Sequence, residues 1–326
     1  MSKLNPHELE GMYFGKIRCD RRVGKGGMAY VYQGEHTDLK QPVAIKVLFR
    51  HHSQSLEKRM RFQREAQVQF RLQHPNLVRT LDLINEQGIL AIVMDWIEGE
   101  DLMRHAHRYQ GVIPWGDLLQ WFTTILDVVG YAHNQQVIHR DLKPANILLA
   151  KRNHQLHPKV ADFGIAKLLD QHDWMTREGV MLGTPAYMAP EQAQAQSLDH
   201  RVDIYALGVS LFQMATGQLP FRGKNVLEVL AAHRDQPVPY ATQLNPALPT
   251  SLQPILEKAM HKQPEQRFES CQAFLDALQP FIHEHNQAIH RANAASHPKQ
   301  ESSATPSKSD DHTLYDPPQH LLATPS

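Results

Sequence analysis

The chain is poor in cysteine, since its 326 residues include only Cys19 and Cys271. The two lie far apart and form no CxxC pair, which argues against a disulfide framework and against a cysteine-based zinc site. Two free thiols are typical of a protein from a reducing compartment. We therefore expect a cytoplasmic protein.

Excess charge and long apolar runs are also missing. Lys and Arg number 34, as do Asp and Glu, so the formal net charge is zero and no overall field attracts nucleic acid. The longest apolar runs, Ile89–Met94 and Ile204–Ala215, are shorter than the roughly 18 residues that span a bilayer. The first residues contain no apolar stretch of a secretory signal. We expect neither a nucleic-acid partner nor a membrane span.

Hydrophobic patterning divides the rest of the chain into two halves. Apolar or alternating runs separated by turn residues predict strands at Cys19–Val23, Tyr30–Glu35, Pro42–Leu48, Leu77–Ile84 and Ile89–Trp96. A helix is predicted among them at Ser53–Leu72. Later patterns predict helices at Leu118–His133, Arg201–Thr216, Val226–His233, Leu252–Lys262 and Cys271–His285. The expected fold is α+β, with a sheet-rich smaller half joined to a helix-rich larger half near Trp96–Asp101.

The last 31 residues, 296–326, have a different composition, because 14 of them are Ser, Thr or Pro. Such a segment buries too little apolar surface to offset the entropy lost on ordering. It is predicted to be disordered.

A glycine-rich segment, residues 24–31, lies between two predicted strands. Glycines let backbone N–H groups approach phosphate oxygens, although a glycine-rich hairpin is often only a turn. Lys46 ends the apolar run Val43–Lys46 and could reach the same phosphates. Glu65 in the predicted helix could hold Lys46 by an ion pair, although a helix glutamate is more often only solvated.

A dense polar cluster, His139–Asn146, lies between two apolar runs, and Asp162-Phe163-Gly164 follows it. Charge between buried segments is costly unless it is needed. The oxygen atoms of Asn146 and Asp162 suit a hard cation such as Mg²⁺. Asp141 can accept a hydroxyl proton, and Lys143 can steady a moving phosphoryl group. The cluster therefore points to phosphoryl transfer.

The order of these segments resembles that of the protein kinases, and Ala189-Pro190-Glu191 follows where those enzymes place it. The residues of Gly183–Gln192 and Asp203–Gly208 are most similar to the eukaryotic-like serine/threonine kinases of bacteria. The resemblance implies phosphoryl transfer from ATP, with Mg²⁺ or Mn²⁺, to serine and threonine hydroxyls of protein substrates.

The resemblance also implies a bilobal protein-kinase-like fold over residues 12–282. An antiparallel-sheet N-lobe with one main helix spans 12–95, a hinge spans 95–100, and a mostly helical C-lobe spans 101–282. An N-terminal extension, 1–11, precedes these lobes. A disordered Ser/Thr/Pro-rich tail, 283–326, is expected after them.

The resemblance also implies a role for individual residues of this chain, position by position. The implied catalytic residues are Asp141, Lys143, Lys46 and Glu65, and the implied metal ligands are Asn146 and Asp162. The implied ATP-binding residues are Val23, Gly24, Lys25, Gly26, Gly27, Met28, Ala29, Tyr30, Val31, Ala44, Lys46, Met94, Asp95, Ile97, Asp101 and Leu148. Among these, backbone atoms of Asp95 and Ile97 are expected to bind adenine, and Asp101 is expected to bind the ribose.

Three further expectations concern residues that hold the fold in place rather than residues that take part in the reaction. Glu191 is expected to pair with Arg267, and Asp203 to anchor the backbone of the catalytic loop. Gln69 departs from the family, which places an apolar residue there against Phe163. Either this buried glutamine finds polar partners, or the helix register is off by one and Val68 or Phe70 packs there.

Regulation is expected at two threonines. Thr176, in the segment between Asp162 and Glu191, is the candidate for autophosphorylation, because Arg140 in such kinases meets a phosphate on that segment. Thr313 has an aspartate three residues later and resembles the ligands of phosphothreonine-binding forkhead-associated modules. The alternatives are that Thr176 is a solvated loop residue and that the tail segment around Thr313 is simply solvated.

Two other functions are weaker interpretations of the sequence. A pseudokinase would bind nucleotide without transferring phosphate, yet Lys46, Asp141, Asn146 and Asp162 are all present. A metal-binding protein is suggested by 21 histidines, yet neither HExxH nor a Cys/His ligand spacing occurs.

Overall fold

The structure is a computed structural model that describes residues 8–26, 29–49, 56–86, 88–163, 185–194 and 196–296. Within these ranges the side chains of residues 56–58, 61, 64, 65 and 292–296 are not described. The chain forms two compact units, Met1–His285 and Asn286–Ser326.

The first part of the larger unit is a six-stranded antiparallel sheet in the order β1-β2-β3-β4-β6-β5. Its strands are β1 Tyr13–Phe14, β2 Ile17–Lys25, β3 Ala29–His36, β4 Gln41–Leu48, β5 Thr80–Glu86 and β6 Ile89–Asp95. Helix α1 spans Leu56–Arg71. The predicted elements are confirmed with small shifts, except that β5 begins at Thr80, since Leu77 instead bridges to Val160.

The two faces of this sheet bury different clusters, because side chains alternate along each strand. One face buries Tyr32, Ile45 and Val93 in a core that also includes Leu9 and Phe14. The opposite face buries Leu48, Leu90 and Ile92 against Phe62 and Ala66, which are one turn apart on α1. Helix α1 therefore packs on only one face of the sheet.

The second part is mostly helical, as predicted. Its elements are β7 Gly99–Asp101, α2 Leu102–His107, α3 Trp115–Asn134, β8 Ile147–Arg152, β9 Gln155–Val160, α4 Pro190–Ala193, α5 Arg201–Thr216, α6 Val226–Asp235, α7 Ala241–Leu244, α8 Gln253–Ala259 and α9 Cys271–Ser296. Strands β7, β8 and β9 form a small antiparallel sheet. All residues of α5 except Arg201 and Gln213 are buried, so this helix forms the centre of the core.

Helix α9 corrects the predicted tail. It continues to Ser296, so residues 283–296 are helical, whereas the sequence predicted disorder from 283. The physical reason is that residues 283–296 contain neither glycine nor proline, and the proline-rich composition starts only after Ser296. Residues 297–326 lie outside the described residues.

The first turns of α3 and the middle of α9 are in close contact. The rings of Trp115 and Phe281 meet edge to face at 6.0 Å between centroids. A Cβ atom placed on Gly116 would overlap the imidazole of His285. Only a residue without a side chain fits at position 116 while His285 keeps this position.

Candidate active site

Four of the predicted ATP-binding residues lie on the same face of the first sheet. Val31 pairs with Lys46 across β3 and β4, and Ala44 pairs with Met94 across β4 and β6. Directly opposed residues share a face, as do residues two apart along a strand. The register therefore brings Val31, Ala44, Lys46 and Met94 together.

Tyr30 is an exception among the predicted residues. Its side chain is buried in the core on the opposite face and meets the ring of Phe49 in a tilted arrangement, at 4.5 Å between centroids. Alternation along β3 therefore turns the side chain of Tyr30 away from Lys46. Binding of ATP at Tyr30 stays a prediction for its backbone.

Lys46 connects the sheet to the end of β9. Its Nζ lies 2.7 Å from Oδ1 of Asp162, and 15% of the lysine side chain is exposed. Asp162 has a positive φ of 61°, a backbone conformation that is uncommon for residues other than glycine. Because the side chain of Glu65 lies outside what the structure describes, its pairing with Lys46 stays a prediction.

Asp203 anchors the loop that precedes β8, as predicted. Its Oδ2 accepts the backbone N–H of His139 and its Oδ1 that of Arg140, both at 2.8 Å. Oδ2 also lies 2.8 Å from Nε2 of His133. Burial opposes ionisation, yet the hydrogen bond from His133 and the N–H of His139 hold the pKa of Asp203 below its ordinary value. The carboxylate therefore stays charged inside the core.

The loop brings three predicted site residues into contact. Nζ of Lys143 lies 2.8 Å from Oδ2 of Asp141. The side-chain amide of Asn146 donates to the backbone carbonyl of Asp141 at 2.8 Å and to its Oδ2 at 3.3 Å. Since the nitrogen of Asn146 faces Asp141, its amide oxygen is the atom that a cation would use.

Hydrogen bonds hold this loop against the end of β9. Ala161 donates its N–H to the carbonyl of Asn146 at 2.9 Å, one residue before Asp162. Nε2 of His139 lies 2.8 Å from the carbonyl of Ala161. Burial lowers the pKa of His139, so its imidazole is neutral at pH 7. The two predicted metal ligands, Asn146 and Asp162, are thereby placed on adjoining segments.

Gln69 is the residue of α1 that meets Phe163. Its side-chain nitrogen donates to the backbone carbonyl of Phe163, and its oxygen accepts from the hydroxyl of Thr80 at 3.4 Å. Val68 and Phe70 are 42% and 55% exposed, so the alternative register is wrong. The buried ring of Phe163 packs on His139 at 4.5 Å between centroids.

Glu191 makes a predicted contact and Gln192 makes a new one, and that of Gln192 reaches the loop. Glu191 and Arg267 form the predicted pair, with two N–O distances of 2.6 and 2.7 Å, and both are buried. Gln192, which sequence reasoning missed, donates to the carbonyl of Arg140 at 3.1 Å and accepts the N–H of Ala189 at 3.0 Å. A glutamine beside Glu191 gives no sequence signal that distinguishes it from a surface residue.

The predicted hinge and ribose residues have structural partners of their own. Asp95 donates its N–H to the carbonyl of Arg79 at 3.0 Å, so any bond from Asp95 to adenine would use its carbonyl. Asp101 caps α2 by accepting the N–H of Arg104 at 2.8 Å. Asp101 also pairs with Leu148 across β7 and β8, which puts both on one face.

The described residues of the glycine-rich segment lie at the paired ends of β2 and β3. Gly26 donates its N–H to the carbonyl of Ala29 at 2.8 Å, and Lys25 pairs with Tyr30. Val23 is 37% exposed on β2, next to Gly24. The remaining predicted residues Gly27, Met28, Thr176 and Thr313 lie outside the described residues.

Known proteins match this chain over the part that carries the candidate site. The family profile "Protein kinase domain" matches residues 17–278. The chain is 38% identical over 279 residues to the serine/threonine-protein kinase Pkn1 of Myxococcus xanthus, covering 85% of this chain and 40% of Pkn1. It is 37% identical over 258 residues to PrkC of Bacillus subtilis, covering 79% of this chain and 39% of PrkC. The chain thus spans less than half of either relative.

One solved kinase domain matches this chain over nearly the whole length of that domain. The kinase domain of Mycobacterium tuberculosis PknI is 31% identical, with a TM-score of 0.68, over 83% of this chain and 98% of that domain. Within the residues that the structure describes, no helix is both long and apolar enough to cross a bilayer.

Proposed function

Because the chain belongs to the protein kinase family, among the eukaryotic-like serine/threonine kinases of bacteria, we propose that it phosphorylates proteins on serine and threonine. The family uses ATP and a divalent metal. The observation that carries the proposal is the 2.7 Å contact of Lys46 with Asp162, which are 116 positions apart (162 − 46), beside the Asp141–Lys143–Asn146 cluster.

ATP is proposed to lie against the face of the sheet that carries Val31, Ala44 and Met94. Apolar walls with a few polar groups are what a purine needs. The carbonyl of Asp95 and the backbone of Ile97 bind the adenine edge in this proposal, and Leu148 closes its other side. Asp101 binds the ribose while it caps α2, and the hairpin from Val23 to Val31 covers the phosphates.

The metal is proposed to be Mg²⁺, with Mn²⁺ as a substitute. The donor set fits such a hard cation, because Asp162 supplies a carboxylate and Asn146 supplies an amide oxygen directed away from Asp141. A bound cation of this kind would neutralise negative charge on the phosphates.

The side chains around the metal ligands have different roles in the proposed phosphoryl transfer. Asp141 orients the substrate hydroxyl and accepts its proton as the oxygen attacks the γ-phosphorus. The bond from that phosphorus to the bridging oxygen breaks, and ADP leaves. Lys143, already 2.8 Å from Asp141, neutralises charge on the transferred group, and Lys46 binds the α- and β-phosphates with Glu65 as its partner.

The decisive experiment measures transfer of labelled phosphate from ATP to a generic basic protein. We expect transfer by the wild type and at least about a hundredfold loss in Asp141→Asn, since the base is removed. Asp276→Asn, which changes an exposed carboxylate on α9, is the matched control and should keep full activity. Nucleotide binding without any transfer by the wild type would instead support the pseudokinase.

Autophosphorylation of Thr176 is a further part of the proposal. Nε of Arg140 is buried without a hydrogen-bond partner among the described residues, which supports a phosphate-binding role for this side chain. Thr176→Ala is expected to lower activity and to remove phosphate from this segment. Full activity with unchanged phosphate there would contradict it.

A phosphorylated Thr313 is proposed to bind a forkhead-associated module. Pull-downs with the phosphorylated and the plain tail peptide test this, and equal capture by both would contradict it. Location in the cytoplasm stays a prediction from the sequence.

A further inference from the structure

Arg140, the residue before Asp141, has a left-handed backbone conformation. Its φ is 66°, in a region that residues other than glycine disfavour, because the Cβ atom crowds the neighbouring carbonyl oxygen. Without other contacts, the chain would relax to a right-handed or an extended conformation at this position. Contacts from the rest of the molecule therefore hold Arg140 in place.

One of these contacts is made by the backbone N–H of Arg140. It donates to Oδ1 of Asp203 at 2.8 Å. Asp203 is a buried residue of α5, so this bond joins the N–H of Arg140 to the centre of the core. The carbonyl of Arg140, on the other side of its Cα atom, needs a partner of its own.

Gln192 is the partner of that carbonyl. Its side-chain Nε2 donates to the carbonyl oxygen of Arg140 at 3.1 Å, and the glutamine is only 4% exposed. The bonds from Asp203 and Gln192 act on opposite sides of one Cα atom, since the first holds the N–H and the second holds the carbonyl. Rotation of Arg140 out of its left-handed conformation has to break at least one of them.

The orientation of the Gln192 amide follows from its two neighbours. Its Oε1 accepts the backbone N–H of Ala189 at 3.0 Å, and its Nε2 faces the carbonyl of Arg140. A backbone N–H can only donate and a carbonyl can only accept, so an exchange of the amide nitrogen and oxygen would lose both bonds. Both ends of the amide are therefore in use.

The peptide group that Gln192 contacts is the one that leads into Asp141. A peptide group is planar, so its carbonyl and its N–H turn together. The carbonyl belongs to Arg140 and accepts from Gln192, whereas the N–H belongs to Asp141 and donates to Nδ1 of His139 at 3.3 Å. Hydrogen bonds at both edges of this plane fix the direction in which the chain enters Asp141.

Helix α4 and its surroundings hold Gln192 in place. The preceding residue, Glu191, forms the buried ion pair with Arg267, which attaches α4 to the segment before α9. The turn before α4 is attached to α5, because the hydroxyl of Tyr187 donates to the side chain of Gln213. A side chain on a segment with these two attachments restrains the loop that it contacts.

We propose that Gln192 is a positioning residue for phosphoryl transfer, which orients the peptide group before Asp141 by donating to the carbonyl of Arg140. This inference rests on the proposed function and adds to it a residue that acts through another. A small displacement of Asp141 slows transfer, because the reaction depends on the alignment of the reacting atoms. Binding of ATP, which is proposed to contact the sheet, does not depend on this bond.

The test measures the single-turnover rate of phosphoryl transfer from ATP to a threonine peptide by the full chain, and separately the Kd for ATP. Gln192→Met keeps the length of the side chain and removes both of its hydrogen bonds. We expect the transfer rate to fall about tenfold, because a buried carbonyl loses its donor. The Kd for ATP should change by less than about twofold, since the bond acts on transfer and not on binding.

A second variant separates the two hydrogen bonds of Gln192. Gln192→Glu keeps an oxygen for the N–H of Ala189 but has no hydrogen for the carbonyl of Arg140, so its transfer rate should fall as far as that of Gln192→Met. Gln194→Met makes the matched exchange at an exposed glutamine two positions later and should keep the wild-type rate. Urea denaturation of each variant checks that it is folded under the assay conditions.

The outcomes separate this inference from the proposed function. A wild-type transfer rate in Gln192→Met would overturn the inference, and so would a wild-type rate in Gln192→Glu, which would leave the glutamine only its bond to Ala189. A matching loss of ATP binding, or an equal loss of rate in Gln194→Met, would also overturn it. If Gln192→Met does not fold, Gln192→Glu still decides. Absence of transfer by the wild type, matched by Asp141→Asn, would remove the proposed function and this inference with it.

Discussion

The side-chain amide of Gln69 donates a hydrogen bond to the backbone carbonyl of Phe163, which joins α1 to the segment that carries Asp162. Phe163 itself packs on His139. A directional bond here restrains α1 more narrowly than apolar packing would, because it holds only over a limited range of distance and angle. The position of α1 and that of the Asp162 segment are therefore linked.

We predict that Gln69→Ala lowers kcat/KM for peptide phosphorylation about two- to tenfold. The reason is the loss of one neutral hydrogen bond, which contributes about 0.5–1.5 kcal/mol. Gln67→Ala changes an exposed glutamine of the same helix and should have no effect. Equal kinetics of Gln69→Ala and the wild type would show that the bond does not restrain α1.

Loss of Arg267 should destabilise the fold strongly. Besides its pair with Glu191, Arg267 donates to the carbonyls of Arg201, His261 and Lys262. Arg267→Met leaves a buried carboxylate without its partner and should lower the free energy of unfolding by about 3–5 kcal/mol. Urea denaturation measures this change.

The control for that experiment is the exposed pair of Arg234 and Asp235, whose distance is also short, at 2.8 Å. Arg234→Met should leave the urea midpoint unchanged, because water and salt screen an exposed pair. A similar loss of stability in both variants would show that burial of the ion pair does not explain the effect of Arg267→Met.

His233 should make the protein less stable in acid. Burial and the nearby charge of Lys262 lower its pKa from 6.5 to about 3. Below about pH 6.5 the unfolded chain therefore binds a proton at this residue that the folded chain does not. The free energy of unfolding should fall as the pH is lowered from 6.5 towards 3, by at most about 1.4 kcal/mol per pH unit from this group.

Unfolding in urea at several pH values, compared between the wild type and His233→Gln, tests this contribution. The variant should show a shallower pH dependence in that range. His107→Gln, at an exposed histidine, is the matched control. If the free energy of unfolding depends on pH equally in the wild type and in His233→Gln, His233 is not the group responsible.

Both thiols should be unreactive in the folded protein. Cys19 and Cys271 are 0% and 1% exposed. Burial raises the pKa of Cys19 to about 12, and burial also raises that of Cys271. With a thiol-specific disulfide reagent at about pH 8 we expect no labelling until denaturant is added, and then two thiols per chain. Immediate labelling of the native protein would contradict this.

The local features of the fold were predictable from the sequence. The apolar run Pro42–Leu48 and the apolar pattern of Arg201–Thr216 depend on neighbouring residues alone, and both elements occur as expected. The C-terminal end of α9 was harder to predict, because solvated helical residues such as Gln287 and Arg291 give no apolar pattern.

Long-range contacts needed either the family resemblance or the structure. The pair of Glu191 with Arg267 joins residues 76 positions apart and followed only from the resemblance. The bond from Gln69 to Phe163, 94 positions apart, did not follow even then, because this chain departs from the family there. Neither propensity nor spacing contains information about such distant partners.

The contact of Gly116 with His285 has a consequence for the history of this protein. A side chain at position 116 requires the imidazole of His285 to turn away, and this half-buried histidine can do so by changing its rotamer. Among homologous sequences we therefore expect residues larger than glycine at position 116 where residue 285 is small or where its side chain can turn towards solvent.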